Sequence, residues 1–176
     1  MKGPIFLVGF MGSGKSTVGS ALAKKMNLPF IDSDEAIETL SHKSIAELFE
    51  AEGEAGFRQI ESNWIKENGH RLAVIALGGG AYCSEINQSH IQKNGKSIYL
   101  SLPPAVLVER LLKDNTNRPL IESEKSDAEQ LYQYIRKLLR QREEHYLKAD
   151  HVLNGDCPVE KLVEKMIRLL ESEGMA

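Results

Sequence analysis

Gly9-Phe10-Met11-Gly12-Ser13-Gly14-Lys15-Ser16-Thr17 fits G-x-x-x-x-G-K-[ST], the pattern of a phosphate-binding loop. The flanks decide whether the pattern means anything. Ile5-Phe6-Leu7-Val8 is a short apolar run, as expected of a buried parallel strand. Beyond the loop, Val18, Leu22 and Met26 recur at helical spacing. Strand, glycine loop and helix follow one another as phosphate binding requires. The glycines let the backbone turn tightly and aim its N–H groups inward, and the helix start adds a partial positive charge. In such a loop the lysine, here Lys15, reaches the β- and γ-phosphates. The Ser16 hydroxyl is then placed to ligate Mg²⁺, with Gly12, Ser13, Gly14 and Thr17 completing the cradle. A loop that merely turns the chain is the plain alternative, but it has no use for Lys-Ser in this context. A bound nucleoside triphosphate, ATP by class, is the first expectation.

The 176 residues suit one domain, 1–176, with a substantial core. A formal charge of −3 without a lysine/arginine block argues against a nucleic-acid groove or an anionic membrane as partner. Only Lys2 precedes the first strand region as a charge, no separate apolar leader is visible, and no apolar run reaches membrane-span length. Cys83 and Cys157 lie far apart without metal-ligand spacing, as in a cytoplasmic protein with reduced thiols. His42, His70, His90, His145 and His151 are scattered, with no triad or metal spacing, and receive no role.

A second strand is expected at Leu28-Pro29-Phe30-Ile31, ending in Asp32-Ser33-Asp34. Ligands bind beyond the C-terminal ends of strands in open α/β sheets. Asp32 and Glu35 have capping-box spacing, so Asp32 reads as a helix cap, a metal ligand through water, or both. Asp34 would complement the helix dipole or act in catalysis. Ser44 and Glu47 form a second capping box, opening a short helix that Gly53 and Gly56 interrupt. A longer amphipathic helix is expected over 57–69. On it, Arg58 and Glu61 can meet, either as a surface pair or as an anion clamp in which Glu61 fixes the guanidinium.

The run Leu72-Ala73-Val74-Ile75-Ala76-Leu77 is the strongest apolar stretch and predicts a central strand. It ends in Gly78-Gly79-Gly80. Three glycines exceed what a turn needs and let a ligand approach the backbone, although a flexible turn is the simpler alternative. A fourth strand is expected over 97–102, with a helix started by Pro103-Pro104. The polar stretch around Arg118-Pro119-Leu120-Ile121 predicts a mobile lid at about 115–127, with Arg118 brought onto phosphate. Ser126 and Glu129 form a third capping box before a helix ending near Tyr146. A fifth, edge strand is expected at His151-Val152-Leu153, and a last helix from Pro158. Strands alternating with helices predict a three-layer α/β fold: a five-stranded parallel sheet with helices on both faces.

Phosphoryl transfer needs held phosphates, a metal, an oriented nucleophile and cations over the developing charge. Lys15, Ser16 with Asp32, Asp34 and Arg118 supply these in turn. Arg58 and Arg142 suit a carboxylate or phosphate on the acceptor. Arg136 and Arg140 compete with Arg142 for that place.

With these residues in view, the chain resembles the shikimate kinases over nearly its whole length. The resemblance rests on the phosphate loop, Asp32-Ser33-Asp34, Phe49-Glu50, Gly53-Glu54, Phe57-Arg58 with Glu61, Gly78-Gly79-Gly80, Arg118-Pro119-Leu120, and Arg142 four residues before Tyr146. It implies a phosphate-loop kinase fold that transfers phosphate from ATP, with Mg²⁺, to the 3-hydroxyl of shikimate. It implies substrate contacts from Asp34, Arg58, Gly79, Gly80 and Arg142 in a helical region of about 34–69, with Asp34 as base. It implies Arg118 on the lid, and Arg110 and Pro158 near adenine. A gluconate kinase, a nucleoside monophosphate kinase and a non-catalytic nucleotide-binding module are the rivals. The expected partners are small molecules, the expected state a monomer in the cytoplasm.

Overall fold

The computed structural model describes residues 3–114, 120–121 and 127–175. Its elements run β1 (Ile5–Val8), α1 (Lys15–Met26), β2 (Phe30–Asp32), α2 (Ser33–Ser41), α3 (Ile45–Asn68) and β3 (Val74–Ala76). After a single 3₁₀ turn (Ala81–Cys83) follow α4 (Glu85–Asn94), β4 (Lys96–Ser101), α5 (Pro104–Lys113), α6 (Ala128–Tyr146), β5 (His151–Asn154) and α7 (Val159–Ser172).

The five strands form one parallel sheet in the order β2-β3-β1-β4-β5. Strand β1 lies in the centre because every one of its side chains is apolar and can be buried on either face. Its residues alternate between two cores, as a period of two requires. Ile5 and Leu7 pack with Val18 and Leu22 of α1 and Leu162 and Met166 of α7. Phe6 and Val8 face the opposite core, with Trp64 and Ile65 of α3, Leu107 and Leu111 of α5, and Ile135 of α6. The C-terminal strand ends therefore share one edge, between the two helical layers.

The expected strands are present, β1 with the expected bounds and the others with ends moved by one or two residues. The run 72–77 contracts to Val74–Ala76, since Leu72 is exposed beside the turn. The second strand ends one residue later than expected, on Asp32. Two local expectations, both about helix caps, need correction. The Asp32 carboxylate caps α2 by accepting from the Asp34 N–H at 3.0 Å, while Glu35 is exposed and shows no reciprocal bond among the described residues. The other Asp32 oxygen accepts from Ser16, so the pattern is a cap shared with the phosphate loop. At α6 the cap is Asp127, which accepts from the N–H groups of Glu129 and Gln130; Ser126 lies outside the described residues. The helical region α3 is interrupted at Gly53, as expected, and so consists of two helical halves joined at a break, with Gly56 inside the second half. The Ser44–Glu47 box forms as expected.

Helix α4 left no apolar stripe to read. Asn87 and Gln88 take buried positions instead, donating to the carbonyls of Ala81 at 2.8 Å and Tyr82 at 2.7 Å. Buried amides satisfied in this way cost little, but they do not signal a core in the sequence.

Candidate active site

Two cavities open side by side at the C-terminal edge of the sheet. The first, of about 470 Å³, is lined by Gly12, Ser13, Gly14, Lys15, Ser16 and Thr17, with Asp32, Asp34, Arg110, Gly155, Cys157 and Val159 among its other walls. Lys15 is buried and donates from Nζ to the carbonyls of Gly9 at 2.9 Å and Phe10 at 3.0 Å, which holds the ammonium inside the loop. Ser13 Oγ is buried without a partner among the described residues, which leaves a donor in the cradle. Ser16 Oγ donates to Asp32 Oδ2 at 2.6 Å, so the end of β2 meets the start of α1 at the two groups expected to hold a metal. Arg110 spans the cavity rim, donating to the carbonyls of Ser13 at 3.4 Å and Gly155 at 3.5 Å. Pro158 is the N-cap of α7 and does not line this cavity, although Cys157 and Val159 on either side of it do.

The second cavity, of about 550 Å³, shares Met11, Ser16, Asp32, Asp34 and Gly79 with the first. Its further walls include Phe49, Phe57, Arg58, Glu61, Gly80 and Arg142. Arg58 donates to Glu61 Oε2 at 2.9 Å and to Glu54 Oε1 at 3.3 Å. Its guanidinium carbon stands 5.3 Å from the Phe57 ring centre and 5.9 Å from that of Phe49. The fork is thus fixed on two sides before any anion arrives. Arg142 is 8% exposed, lies 5.8 Å from the Phe10 ring centre, and keeps Nη1 buried without a partner among the described residues. A buried, unsatisfied guanidinium nitrogen is costly unless a ligand satisfies it.

The choice among the α6 arginines is one of helix phase. Ile135, Leu139, Arg142 and Tyr146 share the buried face, whereas Arg136 and Arg140 are exposed and line a separate cavity with Pro103, Val152 and Asn154. Arg142 therefore joins Arg58, and its two competitors do not. Arg118 lies outside the described residues.

The glycine triplet has a steric reason. A Cβ on Gly78 would come within 2.6 Å of both Asp34 Oδ1 and Glu61 Oε1, and one on Gly80 within 2.4 Å of the Arg58 guanidinium. Any side chain at these positions would push the charged groups out of place. Residues to which the sequence pointed only weakly support the triplet. Buried Ser33 accepts from the Gly78 N–H at 2.9 Å, and the Tyr146 hydroxyl donates to the Gly79 carbonyl. A serine between two aspartates carries no signal of a partner forty-five residues away. Met11 and Leu120 line the second cavity as well, and nothing but their apolar character marked them.

Glu61 is 1% exposed, and burial pushes its carboxyl up to about 7, with Asp34 adding repulsion and Arg58 and Arg142 opposing. A carboxyl raised in the folded state binds more protons there than when unfolded. Its contribution is therefore fully present below about pH 4.5, declines as pH rises, and is lost above about 7. Glu61→Gln removes this titration. The stability of the variant relative to the parent is expected to rise between pH 5 and 8, by on the order of 2–3 kcal/mol. Denaturant unfolding of both proteins across that range checks it, and a constant difference would rule it out.

A phosphate loop on the central strand of a 2-3-1-4-5 sheet, with a second polar cavity opening beside it, defines a phosphate-loop small-molecule kinase. A family model described as shikimate kinase matches residues 11–171. The chain is 39% identical over 173 residues to the shikimate kinase of Bacteroides thetaiotaomicron, covering 95% of this chain and 98% of that one. A crystal structure of shikimate kinase from the same organism superposes with a TM-score of 0.89 at 37% identity, covering 96% and 98% of the two chains. The Acinetobacter baumannii shikimate kinase, solved in complex with shikimate, gives 0.89 at 34% identity, covering 99% and 96%. The chain belongs to the shikimate kinase family. A Sinorhizobium meliloti gluconokinase at 16% identity, TM-score 0.62, shares the fold alone.

Proposed function

We propose that this chain transfers the γ-phosphoryl group of ATP to the 3-hydroxyl of shikimate, giving shikimate 3-phosphate and ADP. The observation that carries this reading is the meeting of the two cavities at Asp34, with Arg58 and Arg142 both in the acceptor cavity. Shikimate carries a ring carboxylate that two guanidinium groups can grip with paired hydrogen bonds. The hydroxyl to be phosphorylated then faces Asp34, which orients it and takes its proton as the bond to phosphorus forms. Lys15 and the loop N–H groups hold the β- and γ-phosphates, and Arg110 borders the base end of the nucleotide. Arg118 is assigned to the γ-phosphate on the resemblance.

Ser16 and Asp32 are the residues that would hold Mg²⁺. A hydroxyl and a carboxylate are hard oxygen donors, and no cluster of three histidine, cysteine or carboxylate groups able to hold a metal occurs among the described residues. That donor set suits an ion completed by phosphate oxygens and water. When bound, such an ion would supply charge neutralisation to the transferred phosphate. We also propose that the enzyme works as a monomer in the cytoplasm. No helix among the described residues is long and apolar enough to cross a membrane.

A coupled ADP assay with shikimate, gluconate and nucleoside monophosphates as acceptors tests the reading. Turnover with shikimate alone is expected, and turnover with gluconate alone would overturn it. Acceptor recognition has a sharper check. Arg58→Ala and Arg142→Ala are each expected to weaken shikimate binding by several kcal/mol, against about 0–1 for a charge that only pairs at a surface. Arg136→Ala and Arg140→Ala are expected to change it little. Calorimetric titration of the four variants measures this. A loss carried by Arg136 or Arg140 instead would move the second anion contact off the buried face of α6.

A further inference from the structure

Helix α3 contains a backbone break with no packing explanation. Gly53 has φ 68° and ψ 177°, a combination essentially closed to residues with a side chain. No atom lies within 4 Å of where its Cβ would be. The glycine is therefore needed for its dihedral angles alone.

Two observations show what the break does. Phe49 and Phe57 are eight residues apart, which in a continuous helix separates them by about 12 Å along the axis. Their ring centres are 4.7 Å apart. Gly56 and Glu52, one turn apart across the break, tell the same story. Side chains at that spacing in a regular helix hold their Cβ atoms about 5–6 Å apart. Here a Cβ on Gly56 would lie 2.7 Å from that of Glu52. The first half of α3 is folded back onto the second, and Gly56 leaves the room for it.

We infer that Gly53 is a positioning residue for the acceptor. Its left-handed backbone brings Ile45, Ala46 and Phe49 of the first half opposite Phe57, Arg58 and Glu61 of the second, closing one wall of the acceptor cavity. Both rings then back the Arg58 guanidinium. A straight α3 would carry Phe49 off Arg58 and open that wall. None of the nucleotide cavity residues belongs to α3, so the nucleotide site is independent of the break. The inference rests on the acceptor assignment made above.

The test is calorimetric titration of shikimate, and separately of a non-hydrolysable ATP analogue with Mg²⁺, into the parent, Gly53→Ala, Gly56→Ala and the double variant. Melting temperatures are taken on the same preparations. Gly53→Ala and Gly56→Ala are each expected to weaken shikimate binding at least about tenfold, as misplacement of a clamp does. Nucleotide affinity is expected to hold within about twofold. The double variant is expected to be no worse than Gly53→Ala, because a straightened helix lifts Glu52 off position 56. A folded Gly53→Ala that binds shikimate like the parent, or that loses both ligands equally, would overturn the inference. So would fully additive losses in the double variant. If Gly53→Ala does not fold, Gly56→Ala decides alone, since its backbone is helical and only the fold-back is strained. A parent protein that binds no shikimate would overturn the acceptor assignment and this inference with it. Parent binding with unmoved variants would remove only the role of Gly53.

Discussion

Replacing Lys15 by methionine is expected to lower turnover by about 10³-fold or more, the scale of losing a fixed cation or donor from a charged transition state. The ammonium is buried in the loop, anchored to the carbonyls of Gly9 and Phe10. Those two bonds hold it in the cradle before the phosphates arrive, so little reorganisation is required at the chemical step. Methionine keeps the apolar stem and ends one atom short of the ammonium, so it opens no large cavity. It does leave the two carbonyls without this donor, which costs on the order of 1–3 kcal/mol if no water replaces it. The melting temperature should therefore drop modestly while activity all but vanishes. Measuring ADP release and thermal unfolding on one preparation separates the effects. A folded Lys15→Met protein with near-normal turnover would sink the assignment of the loop to the transferred phosphate.

Asp34→Asn is expected to reduce turnover by about 10²–10⁴, the usual contribution of a general base. An acceptor hydroxyl is a weak nucleophile until its proton has somewhere to go. Asp34 lies where the two cavities join, beside the phosphate loop and facing the glycine triplet. Asparagine matches its size and can still hydrogen-bond the hydroxyl, but it cannot accept the proton. Nucleotide affinity is expected to persist. Stability should hold or rise slightly, because the carboxylate is removed from the neighbourhood of buried Glu61, which its charge disfavours. The rival role for Asp34, complementing the α2 dipole, predicts instead a loss of about 0.3–1 kcal/mol in stability with turnover intact. The value of kcat together with the melting temperature tells the two apart.

Much of this was open to reading in the primary structure. The phosphate loop, its strand and its helix are contiguous, so local chemistry alone places Lys15 and Ser16 together. Apolar runs long enough to be buried on both faces announced the parallel sheet, and the alternation with helices announced the layers. Where burial was achieved by polar groups the pattern was silent, as in α4, whose Asn87 and Gln88 are satisfied by carbonyls of the preceding turn. Boundaries shifted where a side chain had two claims on it. Asp32 caps a helix with one oxygen and receives Ser16 with the other, leaving Glu35 out of the box.

By itself the sequence determined the fold class, the nucleotide loop and the set of charged residues available for an acceptor, because those depend on short-range periodicity and on spacing within single elements. Tertiary structure alone decided which of three arginines on α6 turns inward, since that depends on the phase at which the helix meets the sheet. It alone revealed why Gly78 and Gly80 carry no side chains, because the atoms that would clash come from Asp34, Arg58 and Glu61 on two other elements. The same holds for Glu61, whose raised affinity for a proton comes from burial between α3, the triplet and Asp34. These are properties of groups brought together from distant parts of the chain, and a one-dimensional pattern holds no record of their distances.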